Sequence, residues 1–284
     1  MENYLTLVFI NGLEVGLILA LVALGFSLIY GVGRIIFCTH GEIYMVGAMS
    51  SYFLTIKLGL PFSVVLISVA LGTGMLGFIF ERFLFRRLRG NDFAIFVVSL
   101  ALGMLLLTLF SELLGTQPVG IKEPFPGYVT FLGVNLSIYK LLVGLTSGGL
   151  ILALHFFFKQ ARLGQSIRAM AQDPEAAALQ GISMDKTLSL TFVLSCALAG
   201  TAGVLVGPIY SVSSSMGTTA LMSTFVVVII GGIGSFPGAI AGGLLLGLLY
   251  MFGGLVASKF TYLISFVVVI IFLVARPQGF FGHE

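Results

Sequence analysis

From residue 5 to residue 30 the chain carries a single charged side chain, Glu14, in an otherwise apolar run. A bilayer core takes about 20 such residues per helix. The run is too long for the hydrophobic core of a secretion signal, and Met1–Tyr4 lack the basic region that precedes one. It therefore reads as an uncleaved first span. Similar stretches follow at 43–56, 62–80, 93–114, 138–158 and 188–207. The region 221–252 is too long for one helix and is broken by Gly231-Gly232-Ile233-Gly234-Ser235-Phe236-Pro237-Gly238, which predicts two short helices around a tight turn or a re-entrant break. A last stretch, 262–275, stops at Arg276-Pro277. With 58% hydrophobic and 9% charged residues, the chain cannot cover a water-facing surface, since a soluble domain carries about a quarter charged residues. The fold class is all-α: one domain over 1–284, a polytopic transmembrane bundle of about 8–10 spans.

Orientation comes from Lys and Arg. Of the 14 such residues, Arg34, Arg82–Arg89, Lys159, Arg162, Arg168, Lys186 and Arg276 fall on one side of a nine-span arrangement. Only Lys57, Lys122, Lys140 and Lys259 fall on the other. The first side is cytoplasmic by this bias, with the N-terminus outside and the C-terminus inside. A net charge of +3 is too small to imply nucleic acid as a partner. The segment 115–135, with Pro118, Pro124 and Pro126, reads as an outer loop with extended structure. Cys38 and Cys196 sit in or beside apolar stretches and define neither a disulfide framework nor a metal site.

The longest polar stretch, 159–187, carries the clearest local signals. Asp173 is a good N-cap, Pro174 suits the first helical position, and Glu175 complements the positive end of the helix dipole. The alanines favour helix, and Gly181 can adopt the left-handed conformation that closes one. These signals predict a short helix lying across the cytoplasmic face. Such a helix is either a plain connection or a peg that docks into a cytoplasmic partner.

Glu175-Ala176-Ala177, with Gly181 four residues beyond, resembles the coupling motif of ABC importer permeases, in the version found in permeases for branched-chain amino acids. Other stretches are similar to that family: Asn11-Gly12 through Ala23-Leu24-Gly25-Phe26-Ser27-Leu28-Ile29-Tyr30-Gly31, His40-Gly41-Glu42 with Gly47-Ala48, the 231–239 glycine motif, and the terminal Arg276-Pro277-Gln278-Gly279. The chain departs from the family at Ile36-Phe37-Cys38-Thr39-His40-Gly41, where Asn-Phe-Ala-His-Gly is usual, and it lacks the Leu-Pro that follows the motif in other importer permeases. The resemblance implies an importer of two permeases, identical or homologous, with cytoplasmic ABC ATPases and an external substrate-binding protein, in a bacterial or archaeal cytoplasmic membrane. It implies an ATPase-coupling set of Arg168, Asp173, Pro174, Glu175, Ala176, Ala177 and Gly181, and a cargo of branched-chain or related amino acids, with urea or short amides carried by close relatives. No Gly-x-x-x-x-Gly-Lys-[Ser/Thr] phosphate loop occurs, so this chain is not expected to be the ATPase, and the power source is another subunit or an ion gradient; the resemblance implies ATP used by a partner subunit and no cofactor here. A gradient-driven transporter or channel is the rival reading. An intramembrane enzyme finds no support in the motifs.

Ionisable groups in spans face cavities or partners. Asn11 and Glu14 share a helix face beside Gly12-x-x-x-Gly16, as a polar pair capping a packing seam or as part of a pathway. His40 and Glu42 are placed at the cytoplasmic end of the second span, solvated at the interface, held by a structural hydrogen bond, or contacting a gate. Gly232, Gly234, Ser235 and Pro237 form either a gate or a cytoplasmic turn. The Ser/Thr-rich stretch 211–219 is an outer segment able to meet a zwitterionic solute, or an ordinary loop.

Overall fold

In a bilayer every backbone amide must find its partner within the protein, so long apolar stretches become helices. The computed structural model describes residues 2–115, 117–131, 133–257, 260–276 and 278–281. Lys259 and Pro277 lie outside the described residues. The nine apolar segments form α1 (Glu2–Gly33), α2 (His40–Tyr52), α3 (Phe62–Phe83), α4 (Asp92–Leu114), α5 (Ile138–Gln160), α8 (Met184–Val206), α9 (Met216–Gly231), α10 (Phe236–Ala257) and α11 (Thr261–Ala275). Between α5 and α8 lie α6 (Arg162–Gln172) and α7 (Pro174–Leu179). Among the described residues, six helices, α1, α3, α4, α5, α8 and α10, are long and apolar enough to cross a membrane; α9 and α11 are shorter. The 13-residue α2 continues as a π-helical turn over Phe53–Lys57.

Lipid gives helices no hydrophobic reason to associate, so close backbone packing must hold them. α1 and α10 pack antiparallel through two glycine spacings. A Cβ at Gly247 would lie 2.3 Å from the Gly16 amide nitrogen. The parallel seam between α2 and α8 is as tight, for a Cβ at Gly47 would lie 2.2 Å from the Gly200 carbonyl oxygen. Helix α8 also packs against α1 and α3, making it the centre of the bundle. Around this centre, α3, α4, α5 and α11 turn large apolar side chains outward, Leu71, Phe93, Leu145 and Val274 among them. That surface suits lipid.

Two elements differ from the sequence expectation. Residues 34–39 are not an interfacial connection: they fold back beside α4, where Ser99 holds them. The Cys38 amide donates to Ser99 Oγ at 3.2 Å and Thr39 Oγ1 donates to the Ser99 carbonyl at 2.6 Å. Helix α2 therefore begins next to the middle of α1 and α8, not at the end of a span. In addition, the polar stretch 159–187 holds two helices where one was expected, because Leu163, Ile167 and Met170 give 162–172 an amphipathic stripe of its own. At the opposite end, β1 (Tyr128–Phe131) and β2 (Val134–Ser137) form an antiparallel hairpin. A bridge between Val119 and Val212 ties this loop to the α8–α9 connection.

Candidate functional site

Helix α7 is short, and its ends explain why it holds. The Asp173 carboxylate accepts from the amides of Glu175 and Ala176, each at 3.0 Å, and Pro174 occupies the first turn. Gly181 adopts φ 81°, which only glycine takes readily, while Ile182 donates to the Ala177 carbonyl at 3.1 Å to close the turn. Ala177 is buried; Glu175, Ala176, Ala178 and Gly181 are exposed. Leu179, 88% exposed, projects from the helix. Six residues cannot form a stable helix alone, so α7 depends on α6, which packs against α1, α5 and α8. A Cβ at Gly164 would lie 2.3 Å from the Phe157 carbonyl oxygen, which shows how closely α6 rides on the end of α5.

The exposed Arg168 of α6 lines a cavity of about 510 Å³ together with Ser27 and Gly31 of α1, Lys159 of α5, and Gly234 and Pro237. The structure thus joins the α6–α7 loop and the α9–α10 turn, which the sequence treated separately. In that turn Gly232 and Gly234 take φ 96° and 80°, and Ser235 Oγ accepts from the Gly238 amide at 3.2 Å. The terminal segment completes it: Phe280 donates to the Ile230 carbonyl at 2.8 Å and Phe281 to that of Gly231 at 3.1 Å. The last carbonyls of α9 are orphans of the helix, and the end of the chain caps them.

The remaining sequence candidates lie elsewhere. Asn11 accepts from Lys140 Nζ of α5 at 3.2 Å. Glu14 is buried in the field of Lys140 and Glu123, and among the described residues its Oε1 has no hydrogen-bond partner. This pair faces α5, whereas Gly12 and Gly16 face α10. His40 and Glu42 are not solvated at an interface, for they are 0% and 6% exposed. His40 Nε2 lies 2.9 Å from the Val22 carbonyl oxygen and Nδ1 3.5 Å from Ser195 Oγ, which in turn donates to the Gly25 carbonyl at 2.6 Å. One ring thereby links α1, α2 and α8. Glu42 packs against Gly217 of α9 and accepts from Thr218 Oγ1 at 3.5 Å.

Sequence reading missed one cluster. Glu81 of α3, 1% exposed, pairs with Arg86 at 3.0 Å and with Arg89, and accepts from Ser189 of α8. Both arginines also reach Asp185. The arginines were legible as topological charge, but nothing in their spacing marks Glu81 as their buried counter-ion.

Comparison with known proteins accords with this geometry. Residues 8–274 match the family of the branched-chain amino acid transport system / permease component. The high-affinity branched-chain amino acid transport system permease protein BraD of Pseudomonas aeruginosa is 34% identical, covering 96% of this chain and 94% of that protein. LivH of Salmonella typhimurium, with the same description, is 31% identical over the same shares. A solved structure, PsaBC from Streptococcus pneumoniae in complex with Fab, superposes with a TM-score of 0.52 at 18% identity, covering 94% of this chain and 91% of that one. That likeness concerns the fold alone. With a bundle of apolar helices and a match over nearly its whole length, the chain belongs to the family of permease components of branched-chain amino acid transport systems.

Proposed function

We propose that this chain is the membrane-spanning subunit of an ATP-driven importer for branched-chain amino acids, with α7 as the element that docks into a cytoplasmic ATPase. The observation that carries the reading is α7 itself: capped at both ends, exposed along one side, and joined through α6 to three membrane helices. The relatives named for branched-chain amino acid transport support the cargo. The distribution of Lys and Arg supports an outer N-terminus and an inner C-terminus.

In this mechanism a second permease copy or homologue pairs with the chain, an external binding protein delivers the amino acid, and ATP is hydrolysed in the partner ATPases. Movement of the ATPase displaces α7 and α6. Because Gly164 seats α6 directly on the α5 backbone, the displacement passes to the end of that span without slack. The adjoining cavity gives α6 room to move against α1 and the α9–α10 turn. Alternating exposure of the pathway follows from rigid-body shifts of helices whose glycine seams stay closed.

The test is ATP-dependent leucine uptake by the complete importer in proteoliposomes, with and without Leu179→Asp. The expected result is uptake by the unaltered importer and its loss, with loss of the co-purifying ATPase, in the variant. Uptake that persists without a nucleotide-hydrolysing partner overturns the proposal.

A further inference from the structure

At the end of the bundle that holds the hairpin, a second cavity of about 500 Å³ opens between α1, α9 and the α8–α9 connection. Its two main walls differ in chemistry. Helix α1 supplies Val15, Ile18, Leu19 and Val22, an i, i+3, i+4, i+7 stripe that is aliphatic throughout. Helix α9 supplies Met216, Thr219, Ala220 and Ser223 with the same spacing, and two of these four carry hydroxyls. The connection adds Ser211, Ser213 and Ser215 to the hydroxyl side. Tyr250 of α10 closes the back, its hydroxyl 3.1 Å from Ser223 Oγ. Among the described residues, no Lys, Arg, Asp, Glu or His lines the cavity.

We propose that this cavity is a transit site for one zwitterionic amino acid with an aliphatic side chain, an assignment that rests on the importer reading above. The aliphatic side chain lies along the α1 stripe. The ammonium and carboxylate groups face the hydroxyls of α9 and the connection. A hydroxyl donates as readily as it accepts, so one set of side chains meets both charges of a zwitterion. The described lining offers hydroxyls in place of a formal countercharge, and such a site holds its cargo weakly, as conduction through a pathway requires: favourable enough to enter, weak enough to leave. A free cation or anion finds no partner of opposite sign among the described lining residues and is disfavoured there. The stretch 211–219, ambiguous as sequence, acquires a role because the Val119–Val212 bridge holds it over the cavity.

Two variants test the site in the complete importer, reconstituted with its ATPase and binding protein. Ala220→Leu fills the space opposite the α1 stripe at a half-buried position. It is expected to slow leucine uptake about tenfold more than valine uptake, the scale on which a pocket discriminates one methylene. Thr219→Val removes an exposed hydroxyl while keeping its shape, and it is expected to slow both amino acids by a similar factor, about fivefold. ATP hydrolysis stimulated by the loaded binding protein, measured alongside, reports that the variants assemble. Unchanged uptake of both amino acids by both variants, with normal ATP hydrolysis, overturns the transit site and leaves the importer intact. An unaltered importer that hydrolyses ATP but takes up neither amino acid overturns both readings.

Discussion

The seam between α2 and α8 and the loop formed by α6 and α7 are both built on small residues, yet they behave oppositely. At the seam, Gly47 and Gly203 let backbone meet backbone, and a Cβ at either would collide with the carbonyl of Gly200 or of Tyr44, while one at Gly200 would strike the Thr73 side chain of α3. In the loop, Ala176, Ala178 and Gly181 face outward, and a Cβ at Gly181 would meet nothing within 4 Å. Small residues at the seam are dictated by what lies across from them within the chain. The exposed ones on α7 meet no such constraint among the described residues of the chain. The contrast separates a part packed too closely to deform from a part whose exposed face is open to the docking proposed above.

Substitutions sharpen this contrast, starting with the largest effect. Gly47→Leu forces a side chain into the Gly200 backbone; it is expected to destabilise the bundle by about 3 kcal/mol, read as a lower thermal unfolding midpoint in detergent and loss of monodisperse protein. Glu81→Ala leaves Arg86 and Arg89 without their buried counter-ion. Both arginines retain partial access to solvent and to Asp185, so the expected cost is about 2 kcal/mol, measured in the same melt. Gly181→Val strains the φ 81° turn by about 1–2 kcal/mol. Because that turn lies outside the seams, the melt should move little while ATPase co-purification falls sharply. Asp173→Ala removes the N-cap of α7 at about 1 kcal/mol of local stability; uptake should fall in part, with the bundle unaltered. A Gly181 variant that unfolds the bundle, or a Gly47 variant that only uncouples it, breaks the distinction.

Much of this arrangement was legible in advance, for reasons of local chemistry. Asp173, Pro174 and Gly181 act within one turn of helix, so their signals survive any tertiary context. The break at Gly231–Gly238 was legible because two glycines at positive φ cannot continue a helix. What escaped depends on residues distant in sequence. Nothing local reveals that Ser99 holds 34–39 inside the bundle, and so His40 and Glu42 read as residues at a span end when they lie in its interior. Helix α6 was hidden because its stripe of Leu163, Ile167 and Met170 is short and interrupted by charge. The meeting of the terminal segment with the α9 C-terminus joins backbone groups across α10 and α11, and hydropathy carries no trace of it.

The central claim, that α7 is the docking element for a cytoplasmic ATPase, is tested most directly by Leu179→Cys. The native cysteines, Cys38 and Cys196, are both buried, so the introduced thiol is the accessible one for a membrane-impermeant maleimide. The account predicts labelling in inside-out vesicles, abolished when the ATPase is bound and restored when it is stripped away. Labelling from the outer face, or labelling that the bound ATPase leaves unchanged, would contradict it.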